Sequence, residues 1–122
     1  MPTDIDLTHS PLVKFCRSLP YATSDIKWGD NLIFSIGGKI FAGFDTSASG
    51  YYSFKCTEQT FLRLIQKPGI VPAPYSARFF WVQVRRPRAL TLPQARQLLR
   101  EAYGIILAGL PKRTQTRLRA SP

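Results

Sequence analysis

The amino-acid sequence predicts an α+β protein, in which an antiparallel sheet of about five strands packs against N-terminal, middle and C-terminal helices. The first observation is the apolar alternation over residues 32–36, which has the period of two that is typical of a strand with one buried face. The second is Gly37-Gly38, which follows directly and predicts a type I′ hairpin turn, because both central residues of that turn need φ > 0. The third is a set of three amphipathic stretches, each of which starts at a capping residue.

The helices are predicted from their caps and from apolar residues at helical spacing. Ser10 precedes a first helix that ends before residue 20, and Thr57 caps a middle helix whose apolar face starts at residue 61. Thr91 and Gln94 form a capping-box sequence, which begins a C-terminal helix that we expect to run to about Ala108.

The strands are predicted from short apolar runs, and the short links between them favour an antiparallel meander. They cover residues 23–28, 32–36, 39–44, 51–55 and 79–85. Residues 70–78 contain two prolines and are expected to form an irregular connection.

Length and composition predict one domain over residues 1–110, followed by a mobile basic tail over 111–122. No apolar run approaches the roughly 18 residues of a membrane span, and the N-terminus lacks the features of a signal peptide, so we expect a cytoplasmic protein without a membrane partner. Cys16 and Cys56 lie in apolar contexts and are expected to be buried free thiols.

Charge is distributed unevenly along the chain. Residues 1–66 hold six Lys or Arg and six Asp or Glu, whereas residues 67–122 hold eleven basic residues and one acid, Glu101. The net charge of +10 therefore lies in the second half of the sequence. Such a field favours anionic partners, and nucleic acid is the first of these to consider.

Catalytic, cofactor and metal sites find little support in the sequence. The one histidine, His9, precedes the first helix, and the acidic residues are scattered rather than paired. Gly37-Gly38 belongs to no phosphate-binding motif, and metal ligands at useful spacing are lacking. We therefore expect a protein that is not an enzyme and needs no cofactor or metal.

A DNA-binding surface is predicted instead, because arginine forks match phosphate and aromatic faces can stack on bases. Its candidate residues are a hairpin lysine, the arginines and the tryptophan around the last strand, and the basic residues of the tail. They are Lys39, Arg78, Trp81, Arg85, Arg86, Arg88, Lys112, Arg113, Arg117 and Arg119. The alternative is a cleft near Tyr75, Phe79 and Trp81 that binds a small ligand or a protein partner.

Several motifs resemble the MmcQ/YjbR family of small bacterial DNA-binding-type proteins, whose fold is similar to that of the CyaY/frataxin-like α+β proteins. They are K-W-G at 27–29, F-S-I-G-G-K-I-F-A at 34–42, W-V-Q-V at 81–84 and G-L-P-K at 109–112. The resemblance covers about residues 10–113 and implies a CyaY-like fold with DNA binding as its role. The sequence departs from the family at 75–81, where Y-S-A-R-F-F-W replaces an H-M-N-K-R-H-W-like run and keeps only the charge of Arg78.

Overall fold

The structure is a computed structural model that describes residues 10–47 and 49–120. His9, the one histidine of the chain, lies outside these residues. The helices are α1 Pro11–Ser18, α2 Glu58–Leu64, α3 Leu92–Gly109 and α4 Lys112–Ala120. The strands are β1 Thr23–Lys27, β2 Asn31–Ile36, β3 Lys39–Asp45, β4 Tyr52–Lys55, β5 Ile70–Pro72 and β6 Trp81–Val84.

The six strands form one sheet in the order β1-β2-β3-β4-β6-β5, and all neighbouring strands are antiparallel. The predicted α+β fold with an antiparallel sheet is confirmed, although the strand count was one too low. The additional strand is β5, within the segment that was expected to be irregular. Pro72 is tolerated there because β5 lies at the edge of the sheet, where a missing N–H interrupts no second ladder.

Helices cover one face of the sheet and leave the other face open. Alternate residues of the central strands, including Phe34, Phe54 and Val82, point toward the helices and are fully buried together with Leu99 of α3. Two of the three predicted caps form, because the Thr57 hydroxyl accepts a hydrogen bond from the Thr60 amide and Thr91 forms a complete capping box. Ser10 stands at the N-cap of α1, but its side chain makes no capping hydrogen bond. The free thiols of Cys16 and Cys56 are buried in this layer, as predicted, and burial raises the pKa of each to about 12.

The β2–β3 hairpin has the predicted turn, since Gly37 and Gly38 have φ of 59° and 82°. Gly37 also lies against the junction of α3 and α4. A Cβ atom at Gly37 would stand 2.7 Å from Leu110 Cδ1 and 3.1 Å from Thr114 Cγ2. The hairpin tip therefore needs glycine both for its backbone conformation and for this close approach.

The antiparallel order defines two ends of the sheet. The hairpin end contains the 37–38 turn, the C-terminus of β4 and the N-terminus of β6. The loop end contains the 46–51 loop between β3 and β4, together with the C-terminus of β6. Helix α3 runs from one end to the other, because it starts beside Phe44 and Tyr52 and is followed by Leu110 at the hairpin tip. Its 18 residues span about 27 Å.

The C-terminal segment differs from its prediction, because a helix, α4, forms where a mobile tail was expected. Leu118 packs against the core, and Gln115 Nε2 donates a hydrogen bond to the Leu110 carbonyl at 2.8 Å. The Leu118 and Gln115 side chains thus help to hold a segment whose composition is otherwise polar. None of the helices in the described part of the chain is both long and apolar enough to cross a membrane.

Candidate functional site

A groove of about 760 Å³ crosses the open face of the sheet. Four of its residues, Ile33, Gly43, Ser53 and Gln83, come from neighbouring strands and stand directly opposite one another in the register. Gly43 and Ser53 are small, so the middle of this row is a depression. Ile33 leans over it, because a Cβ atom at Gly43 would lie 3.0 Å from Ile33 Cδ1.

Three aromatic side chains, Trp28, Tyr75 and Trp81, also line the groove. Trp28 is 73% exposed and Tyr75 is 102% exposed, which is unusual for side chains of this size. Within residues 10–47 and 49–120, none of the three rings packs against another aromatic ring. The exposed rings of Trp28 and Tyr75 are therefore accessible to a planar ligand, and Trp81 is partly exposed beside them. The groove includes both tryptophans of the chain.

Backbone hydrogen bonds hold the segment that carries Tyr75 beside the start of β6. The amide of Ala73 donates to the Trp81 carbonyl at 2.9 Å, and the amide of Ser76 donates to the Ala73 carbonyl at 3.2 Å. Lys55 anchors the far side of the segment, since its ammonium donates to the Phe79 carbonyl and lies 5.4 Å from the centre of the Phe80 ring. Burial lowers the pKa of Lys55.

Two of the groove aromatics have a left-handed backbone conformation. Trp28 has φ of 51° in the β1–β2 turn, and Tyr75 has φ of 67°. For a residue with a side chain of this kind, that conformation costs on the order of 1–2 kcal/mol. Such strain is concentrated at functional sites in proteins, which supports the groove as the candidate site.

Asp45 lines the loop-end part of the groove, where it already has hydrogen-bond partners. Its carboxylate accepts hydrogen bonds from the Ser47 amide at 2.8 Å and from the Ser49 hydroxyl at 2.6 Å. Burial raises the pKa of Asp45, but these hydrogen bonds outweigh that effect and bring the pKa below its usual value. Asp45 therefore orders the β3–β4 loop as an ionised carboxylate.

Arg85, Arg86 and Arg88 follow β6 at the loop end and are exposed. The Arg85 Nε donates to Gln83 Oε1 at 2.8 Å, and the guanidinium stacks 5.6 Å from the centre of the Tyr51 ring. Arg85 thus stands at the edge of the groove. The Arg86 side chain packs against Gly69 and does not border the groove.

The other predicted cations lie toward the hairpin end. Lys39 begins β3 beside the turn, and α4, which carries the basic residues of the C-terminal segment, packs against that turn. Arg78 lies just before β6 and stacks on Phe79, with 4.7 Å between the guanidinium carbon and the ring centre. The structure therefore divides the predicted DNA-binding residues between two ends of the sheet.

Sequence reasoning found only part of the groove. Tyr75 and Trp81 line it as the aromatic-cleft hypothesis expected, but Phe79 belongs to a 3₁₀ turn and is not among the lining residues. Trp28 was assigned to a strand, whereas it forms the turn after β1. A tryptophan followed by Gly29-Asp30 was a signal that could have indicated an exposed turn residue. In the described residues, no group of three or more His, Cys, Asp or Glu side chains could hold a metal ion.

These observations define an α+β protein whose antiparallel sheet carries helices on one face and an aromatic groove on the other. The chain belongs to the YjbR family, whose model matches residues 17–105. The crystal structure of the Deinococcus radiodurans protein DR2400, with a DUF419 domain, has a similar fold. It superposes with a TM-score of 0.79 at 20% identity, over 99% of this chain and 92% of that chain. No curated protein matches this chain by sequence. The CyaY-like comparison stays a prediction.

Proposed function

We propose that this protein is a non-enzymatic DNA-binding protein of the YjbR family, which contacts phosphates without reading a sequence. The observation that carries the proposal is the exposure of basic residues at both ends of the sheet. The one acid of residues 67–122, Glu101, lies on α3 in the helix layer, where its carboxylate accepts a hydrogen bond from the buried Thr60 hydroxyl at 3.2 Å. DNA as a partner also agrees with the cytoplasmic location that the sequence predicts.

The spacing of the two groups of cations suits a long polyanion better than a small anion. Helix α3, about 27 Å long, separates the loop end from the basic residues of α4. A DNA strand carries one phosphate per roughly 3.4 Å of helix axis, so one molecule can reach both ends. Contacts of this kind release counterions and make the affinity fall steeply with salt.

The composition of the groove supports a binding role rather than catalysis. Among the residues that the structure describes, its titratable side chains are Asp45 and Tyr75, and Asp45 is already hydrogen-bonded within the β3–β4 loop. Tyr75 stands fully in solvent, where nothing would activate it as an acid or a base. The remaining lining side chains bind and orient, but they do not transfer protons at neutral pH.

The test compares three triple variants that each remove three positive charges. The loop-end variant is Arg85→Gln, Arg86→Gln and Arg88→Gln. The α4 variant is Lys112→Gln, Arg113→Gln and Arg119→Gln. The control, called the helix-layer variant, is Arg63→Gln, Arg96→Gln and Arg100→Gln, at exposed positions of α2 and α3.

Fluorescence anisotropy of labelled DNA, titrated at several salt concentrations, provides the readout. The loop-end and α4 variants should bind all DNA sequences more weakly and to a similar degree. The slope of log K against log salt should fall by about 0.9 for each duplex phosphate that the variant no longer neutralises. The helix-layer variant should stay near the wild type. If the loop-end and α4 variants keep the wild-type affinity, or if the wild type binds no DNA at low salt, this function is excluded.

The groove supports a second candidate, a module that binds a small ligand or a protein partner through Tyr75 and Trp81. Its volume lies in the range of pockets that take small molecules. A change in tryptophan fluorescence with metabolites or peptides, in a protein that does not bind DNA, would favour this candidate.

A further inference from the structure

The groove has a chemistry that differs from that of the two ends of the sheet. Among the described residues, its lining contains no lysine and no arginine, and its polar side chains include Asn31, Ser53 and Gln83, which can donate and accept hydrogen bonds. Around them stand the aromatic rings of Trp28 and Tyr75, together with that of Trp81. Such a surface fits a planar, uncharged group with polar edges rather than a phosphate.

The basic residues next to the groove indicate which molecule carries such a group. Arg85 borders the groove at the loop end through its hydrogen bond to Gln83, and Arg78 precedes the strand that begins with Trp81. Phosphates held by these cations would leave the bases of the same strand directed across the open face. Bases stack on aromatic rings with little dependence on sequence, because every base has a π-face.

We infer that the groove binds the unpaired bases of single-stranded DNA, which stack on Trp28, Tyr75 and Trp81. This inference rests on the proposed DNA binding and deepens it, because it specifies the form of DNA. In a duplex the base faces are already stacked within the helix and are not accessible to rings on a sheet surface. The protein should therefore bind a single strand more tightly than a duplex with the same number of phosphates.

The first test uses the unaltered protein and three labelled ligands. They are an oligothymidylate of about 12 nucleotides, a duplex of matched phosphate count, and an abasic oligomer with the same backbone but no bases. Stacking of even one base should make the oligothymidylate bind at least about fivefold more tightly than the abasic oligomer. Equal affinities for all three ligands would overturn the inference.

Intrinsic fluorescence reports on the groove directly, because both tryptophans of the chain line it. The oligothymidylate should change this fluorescence, whereas the abasic oligomer should change it little at the same degree of saturation. An unchanged spectrum with saturating oligothymidylate would place the bases elsewhere and overturn the inference.

Variants at two exposed positions test the rings themselves. Tyr75→Ala keeps both tryptophan reporters, and Trp28→Ala removes the second exposed ring. Each should lower the affinity for oligothymidylate by about fivefold or more and leave the affinity for the abasic oligomer unchanged. Leu62→Ala is the matched control, since Leu62 is a large apolar side chain that is 52% exposed on α2. If both aromatic variants behave like the control, the stacking role is excluded.

These experiments separate failure of the inference from failure of the proposed function. If the protein binds no DNA at low salt, both the inference and the proposed function are excluded. A protein that binds the three ligands equally, with strong salt dependence and no fluorescence change, remains a DNA-binding protein whose contacts are phosphates alone.

Discussion

Single residues show where this chain accepts unfavourable local conformations. Trp28 and Tyr75 are large aromatic residues at positive φ, where glycine or asparagine would be less strained. Both are highly exposed, so core packing does not compensate for this cost. Residues of this kind are expected where binding, rather than stability, determines the side chain.

Trp28→Asn should therefore raise stability and weaken binding at the same time. Asparagine tolerates the left-handed conformation, so we expect the free energy of unfolding to rise by up to about 1 kcal/mol. Affinity for oligothymidylate should fall, because the ring is removed. Urea unfolding and anisotropy measure the two effects. Trp28→Phe is the control and should keep most of the wild-type stability and most of the wild-type affinity for oligothymidylate. A loss of stability in Trp28→Asn would instead indicate that Trp28 contributes to packing.

At the scale of elements, the β2–β3 hairpin and the C-terminal helices support one another. The turn at Gly37-Gly38 is determined locally, but its tip also contacts Leu110 and Thr114. Helix α4 has little apolar surface of its own, and this contact, together with Leu118, keeps it on the domain. The hairpin thus holds α4 in place. A basic segment of this length and composition would not form a stable helix alone.

The two glycines of this turn offer a matched pair of substitutions. In Gly38→Ala the added methyl group contacts no described atom within 4 Å, so the only cost is the strained backbone conformation. The free energy of unfolding should fall by about 1–2 kcal/mol. Gly37→Ala has similar strain and also meets Leu110 Cδ1 at 2.7 Å. Its free energy of unfolding should fall by about 1 kcal/mol more than that of Gly38→Ala, since the Leu110 side chain must move. Denaturant unfolding measures the free energy of unfolding of both variants. Equal losses would contradict this prediction and show that Leu110 moves aside without a cost in stability.

At the scale of the whole molecule, the sheet separates basic residues that are close together in the sequence. Arg78 and Arg85 bracket the same short strand, yet they lie at opposite ends of β6. The four residues of β6, about 13 Å at roughly 3.3 Å per residue, lie between them, and α3, about 27 Å long, separates the loop end from α4. A bound polyanion that crosses the open face and its groove can contact both ends.

Affinity should consequently depend on the length of the DNA. A duplex of fewer than about 8 base pairs is too short to span about 27 Å at roughly 3.4 Å per base pair and should reach only one end. Anisotropy titrations with hairpin duplexes of increasing length should show a marked increase in affinity near that length. The loop-end variant should not show this increase, and the helix-layer variant should keep it. A smooth increase with length in both variants would contradict binding across the two ends.

Local chemistry was predictable from the sequence. The caps at Thr57 and Thr91, the turn at Gly37-Gly38 and the buried core face of β2 depend on a residue and its near neighbours, so they form as predicted. Ile33, on the opposite face of β2, is buried as well, which the alternation did not predict. The excess of positive charge after residue 66 is likewise a property of composition. Local rules were insufficient for Trp28 and Phe79, because turns rather than strand pairing determine their conformations.

The amino-acid sequence by itself determined the α+β class, the hairpin, the capped helices and the basic second half. Only the tertiary structure decided that Ile33, Gly43, Ser53 and Gln83 form one row, that β5 pairs at the sheet edge, and that α4 is a helix. The physical reason is that strand register and helix docking join residues far apart in the chain. Their partners supply hydrogen bonds and buried contacts that no local pattern of residues contains.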